Sequence, residues 1–147
     1  LDYEYYFRAV NLMQVQDHPA LLLLLDEIVA KGFEAKDVLV GLTEHFRNLL
    51  VCQDPSTIQL LETSENVKAS YQAQSSTADP SFLLNAFNLC SEAEQRMKQA
   101  SNPRLVVELS FIKLAHLSQA IHVAQHGGGA TPALASVSNG QAEKKKP

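Results

Sequence analysis

The stretch "SNPRLVVELSFIKLAHLSQAI", residues 101–121, decides how the chain folds. Asn102 and Pro103 mark a helix start: an N-cap oxygen followed by proline at the first helical position, where its missing N–H costs nothing. Apolar side chains follow at Leu105, Val106, Val107, Leu109, Phe111, Ile112, Leu114, Ala115, Leu117 and Ile121. At about 100° per residue these point almost all the way round a helix, with Glu108 among them. Two arrangements satisfy such a helix. Its own domain encloses it on every side, or a neighbouring subunit covers what the domain leaves bare. Arg104 raises a related question, because it occupies the first turn, where the macrodipole favours anions. Glu108 lies four residues on, the less favourable order for an i,i+4 pair. Either the two form a local surface bridge worth well under ~1 kcal/mol, or Arg104 reaches a carboxylate or helix C-terminus of a neighbour.

Working outward, period-3.6 patterns dominate and no period-2 strand stands out. Tyr3, Phe7, Val10 and Met13 form one stripe. Leu21, Leu24, Leu25 and Ile28 form a second, which stops at Lys31-Gly32-Phe33. Glycine there can take positive φ, and Phe33 can fold back on Ile28 as the apolar contact of the cap. A third helix carries Leu39, Leu42, Phe46, Leu49 and Leu50, with Glu44, Arg47 and Asn48 away from its centre. Asp54-Pro55 and Asp79-Pro80 repeat the Asn102-Pro103 device and predict further helix starts. Ile58 to Leu61 reads as a short turn, and Val67, Tyr71 and Gln74 as a moderately amphipathic helix. Phe82, Ala86, Leu89, Cys90, Ala93 and Met97 form a strong stripe opposite Asn85, Asn88, Glu92 and Gln99. The prediction is all-α: a single bundle of six to seven helices over residues 1–125, without a sheet. From His126 the Gly/Ala/Ser/Pro-rich "HGGGATPALASVSNGQAEKKKP" cannot offset its ordering entropy by burial, so 126–147 reads as a flexible linker or tail.

Composition excludes several functions. Formal charge is −4, but without Glu143 and the lysines at 144–146 nine basic and fifteen acidic residues remain, a charge of −6. A body that acidic repels phosphate backbones, so no direct DNA contact is expected. The longest apolar run, Ala20 to Leu25, falls far short of the about 20 residues of a membrane span. Residues 1–16 lack the regions of a signal peptide. With Cys52 and Cys90 each among apolar neighbours as reduced thiols, the expected location is cytoplasmic. The start at Leu1 reads as a piece cut from a longer polypeptide.

Catalytic motifs are absent from the pattern. No glycine precedes the Lys-Ser or Lys-Thr of a phosphate loop, and there is no G-x-S-x-G elbow. Asp26-Glu27 and Glu92/Glu94 do not share a helical face, so neither pair forms an acid/base dyad. His45 and His116 belong on helix faces, packed or solvated. His122 and His126, four apart, could share an ion, but two ligands are half a zinc site, and no metal is expected.

Three segments together resemble a known family. "NPRLVVELSFIKLA" (102–115) is similar to the closing helix of the third domain of the bacterial DNA polymerase III gamma/tau subunit. "LLDEIVAKGFEAKDVLVGLTEHFRNLLVCQDP" (24–55) resembles the middle of that domain, and "DYEYYF" (2–7) its opening. Val106-Val107 departs from it, standing where smaller residues are often found. The resemblance covers roughly residues 1 to 120 and implies a helical collar joining the clamp-loader subunits in a ring of five. Its partners would be other clamp-loader subunits and itself. The ATP site, zinc module and arginine finger of that family lie in two preceding domains that these residues lack. No cofactor and no catalysis are therefore expected of this fragment.

The combined reading is a non-catalytic oligomerisation domain serving sliding-clamp loading in DNA replication. Candidate subunit contacts are Phe46, Arg47, Asn102, Arg104, Glu108 and Phe111. A different class is a helical adaptor or regulatory bundle whose apolar interior accepts a small molecule, which requires a cavity with a few convergent polar groups. A third, a metal-dependent helical enzyme, rests only on His122 and His126.

Overall fold

The computed structural model describes residues 2–126, with side chains to Gln125. It contains six α-helices: α1 (Tyr3–Gln14), α2 (His18–Ala30), α3 (Ala35–Val51), α4 (Glu65–Ser76), α5 (Pro80–Met97) and α6 (Pro103–His126). A 3-10 turn at Ile58–Leu60 links α3 to α4. No strand occurs among the described residues, so the all-α expectation holds. The expected tail at 127–147 lies outside the described residues.

Local chemistry starts and stops these helices much as the sequence predicts. Asp79 Oδ1 accepts from Ser81 N–H at 2.9 Å, and Asn102 Oδ1 accepts from Leu105 N–H at 3.2 Å. Gly32, just past α2, has φ +98°, the left-handed value that favours glycine. Asp54-Pro55 behaves differently from the expectation. Asp54 Oδ1 accepts from both the N–H and the hydroxyl of Ser56, at 2.8 and 2.7 Å. Those bonds close a turn around the side chain, and the chain does not enter a helix there. Asp17 caps α2 through Ala20 N–H at 3.1 Å, a start without the proline signature at its first position.

One apolar core draws on all six helices, α4 giving it Tyr71. α3 packs on α5, α5 on α6, and α6 also meets α1, α2 and α3. Phe46 stands edge-on to Phe82 at 6.0 Å between ring centres. Met13, Leu21, Leu25, Leu39, Leu42, Leu49, Leu83, Phe111 and Leu114 are fully enclosed around them. Burial of each such side chain contributes about 1.5–3 kcal/mol. The side chains that would have to line an internal ligand chamber therefore belong to one buried cluster.

α4 is held differently. Its buried residues are Tyr71, Gln74 and Ser75, two of them polar. Gln74 Nε2 donates to the Phe7 carbonyl and to Asn11 Oδ1, both at 2.9 Å. Ser75 Oγ donates to the Leu49 carbonyl at 2.8 Å, and Gln53 Nε2 donates to Ser75 O and Oγ at 2.8 and 2.6 Å. Gln74 Oε1 meets His45 Nε2 at 2.8 Å. Because Gln74 spends its amide hydrogens on α1, His45 Nε2 must be the donor, which leaves Nδ1 as a bare acceptor. That buried Nδ1 has no hydrogen-bond partner.

Candidate subunit interface

α6 resolves the puzzle of its all-round apolar character in an intermediate way. Val107, Ser110, Phe111, Leu114 and Ala115 are buried, the i, i+3, i+4, i+7, i+8 spacing of one inward face. Ser110 is satisfied by donating to the Val106 carbonyl at 2.8 Å. On the opposite side Leu105 and Leu109 are 48 % and 49 % exposed. Ile112 is half-buried beside them on the same turn spacing, and His116 continues the line. Four helices, α1, α2, α3 and α5, therefore cover most of α6, and a narrow apolar strip is left facing outward.

Arg104 opens this strip. Its Nε donates to Glu108 at 3.0 Å, and a terminal nitrogen donates to Asp26 on α2 at 3.1 Å. The Asp26 and Glu108 carboxylates, in that order, raise the guanidinium's affinity for its proton. Two carboxylates also offset the unfavourable place of a cation in the first turn. All three side chains are partly solvent-exposed, so each arm contributes well under about 1 kcal/mol. Arg104 is thus tied within its own chain, as a fork between α6 and α2. Replacing it with glutamate would break both arms and set three carboxylates together. We expect Arg104→Glu to lower stability by about 1 kcal/mol, read as a fall in Tm that high salt partly reverses.

Next to the fork lies a shallow groove of ≈400 Å³ lined by Val29, Phe33, Glu34, Ala35, Lys36, Pro103 and Arg104. Phe33, expected to fold back on α2, is 38 % exposed and forms one wall of it. Further round, Leu23 of α2 stands out into solvent over a second groove shared with Arg8, Asn11 and Leu12 of α1. Arg8 and Glu27 pair across that groove at 3.3 and 3.4 Å.

The sequence-derived candidates separate into three places. Asn102, Arg104 and Glu108 cluster at the start of α6, where Asn102 serves as the N-cap. Arg47 is exposed on α3, donating to Asn48 Oδ1 at 3.0 Å, in a ≈330 Å³ cleft with Tyr3, Glu44, Leu60 and Tyr71. Since α3 begins beside the Arg104 groove, Arg47 lies roughly 18 Å away along it. Phe46 and Phe111 must be withdrawn as surface contacts. They are 0 % and 1 % exposed within their own chain, because the positions that looked like excess apolar surface fill the bundle's core. Sequence reading missed Asp26, Phe33 and Leu23. Asp26 carries no local signal, since its partner lies 78 positions away.

Among the described residues no group of three or more His, Cys, Asp or Glu side chains is placed to hold a metal ion. His122 belongs to the described part; the side chain of His126 lies outside it. No helix among the described residues is long and apolar enough to cross a membrane.

Six helices closed on one core, with a charged fork and an apolar strip on the outer face of the last, define a helical-bundle domain. Residues 1–126 match the family DNA polymerase III subunits gamma and tau domain III, and the chain belongs to that family. A search of curated proteins found no match. The motif pair in residues 24–55 and 102–115 therefore pointed to the right family.

Proposed function

We propose that this domain is a clamp-loader collar: a non-catalytic module that holds gamma/tau to neighbouring subunits while ATP-bearing domains of the parent protein load the sliding clamp. The observation that carries this reading is the outward pair Leu105 and Leu109 on α6, half-exposed apolar side chains on a helix anchored against α1, α2, α3 and α5. A strip on such a rigid support loses little entropy when a partner covers it. The partners are other clamp-loader subunits and further copies of gamma/tau, in a ring of five as in the resembled family. The acidic body keeps the collar itself off DNA. Any need for ATP or zinc falls on the preceding domains of the parent, and the setting is the cytoplasm, where replication takes place.

Sedimentation tests this directly, with the full chain run alone and mixed with the other loader subunits across micromolar concentrations. The double substitution Leu105→Glu/Leu109→Glu should weaken association by about tenfold or more, as expected for truncating central interface side chains. Melting of the isolated chain should hardly change, since neither residue is in the core. Absence of any association by the unsubstituted chain would sink the collar reading.

A further inference from the structure

The far end of the α2–α6 pair holds a feature unrelated to the collar reading. His18, the first residue of α2, and His116 of α6 face each other with ring centres 5.2 Å apart and planes inclined by 38°. His116 Nδ1 lies 2.9 Å from the Ile112 carbonyl, which can only accept. Nδ1 therefore carries the proton, and Nε2 keeps a free lone pair. That is the arrangement by which proteins orient a metal-binding imidazole, with the second ring nitrogen donating to a backbone carbonyl.

The spacing fits as well. A metal–nitrogen bond is about 2.0–2.1 Å, and the ring centre lies about 1.1 Å beyond the nitrogen, so two imidazoles on one tetrahedral ion put their centres about 5 Å apart. A ring stack alone also explains the proximity; what adds to it is the local bond from Nδ1–H to the Ile112 carbonyl, four residues back on α6, which leaves Nε2 of His116 open to an ion. His116 is exposed and His18 half-buried, so an ion can reach the pair from solvent.

We propose that His18 and His116 form a two-imidazole site for a divalent transition-metal ion, its remaining coordination positions filled by water. Imidazole ligands select copper, nickel and zinc over magnesium. The bound ion would tie the start of α2 to the middle of α6. Arg104 and Asp26 already tie the opposite end of the same antiparallel pair.

The test uses the full chain without an affinity tag, melted with Cu2+, Ni2+, Zn2+ or Mg2+. Binding to the folded state alone should raise Tm by about 4 °C once free metal reaches ten times its Kd. The effect should be strongest for Cu2+ and absent for Mg2+. His18→Gln and His116→Gln should each abolish the rise, while His122→Gln should leave it intact. Paramagnetic Cu2+ added at low occupancy should broaden the ring signals of His18 and His116 before those of any other histidine. The proposal is overturned if no ion raises Tm at millimolar concentration. It is equally overturned if the rise survives both glutamine substitutions, or if the first signals broadened belong to His122.

Discussion

Truncating Phe46 or Phe111 to alanine is expected to lower unfolding free energy by about 3–5 kcal/mol in each case. Both rings are almost wholly enclosed by their own chain, so each truncation loses transfer energy and leaves a cavity. A domain of this size has about 5–15 kcal/mol in total, so either change brings it near the folding threshold. Urea denaturation monitored by helicity measures the loss. Arg47→Ala, one position from Phe46 but on the solvent side, should fall within about 0.5 kcal/mol of the parent chain. If Phe46→Ala instead left the denaturation midpoint in place and disturbed only assembly, the position of that ring in the core would be wrong.

The second large effect is acid sensitivity. Burial pushes the His45 pKa down from its ordinary 6.5 to about 4, only partly opposed by the bond to Gln74. The ring is 1 % exposed, and Phe7, Tyr6, Tyr71 and Phe46 crowd around it, so a charge there is poorly solvated. A base whose folded pKa is depressed binds its proton better when unfolded. Stability is therefore complete above pH 6.5 and falls as pH drops toward 4. The expected loss is about 1.4 kcal/mol per pH unit inside that window and about 3 kcal/mol across it. His45→Gln keeps a donor for Gln74 Oε1 and removes the titration. Denaturation of the two proteins between pH 7 and pH 4 should converge as pH falls. Parallel curves would show that His45 is not the group responsible.

The bundle was legible because its signals are local. Stripes such as Leu39, Leu42, Phe46 and Leu49, and caps such as Asp79-Pro80, depend only on neighbours within a few residues. Which side of α6 faces inward was not legible, since Leu105 and Leu109 are as apolar as Val107 and Phe111. Only the placement of the other helices distinguishes them. The same limit hid Asp26 behind Arg104 and Gln74 behind His45, pairs separated by 78 and 29 positions. Asp54-Pro55 misled for another reason: the cap-then-proline pattern also suits a tight turn, and a serine two residues on decided between them.

The way α4 is fastened has a mechanical consequence. Greasy packing yields gradually, because side chains can slide while staying dry, whereas directional bonds such as those from Gln74 and Ser75 fail within a fraction of an ångström. Six hydrogen bonds through Gln74 and Ser75 and the one buried ring of Tyr71 hold this segment. It is therefore expected to open as a unit before the other five helices, read as early exchange of its amide hydrogens.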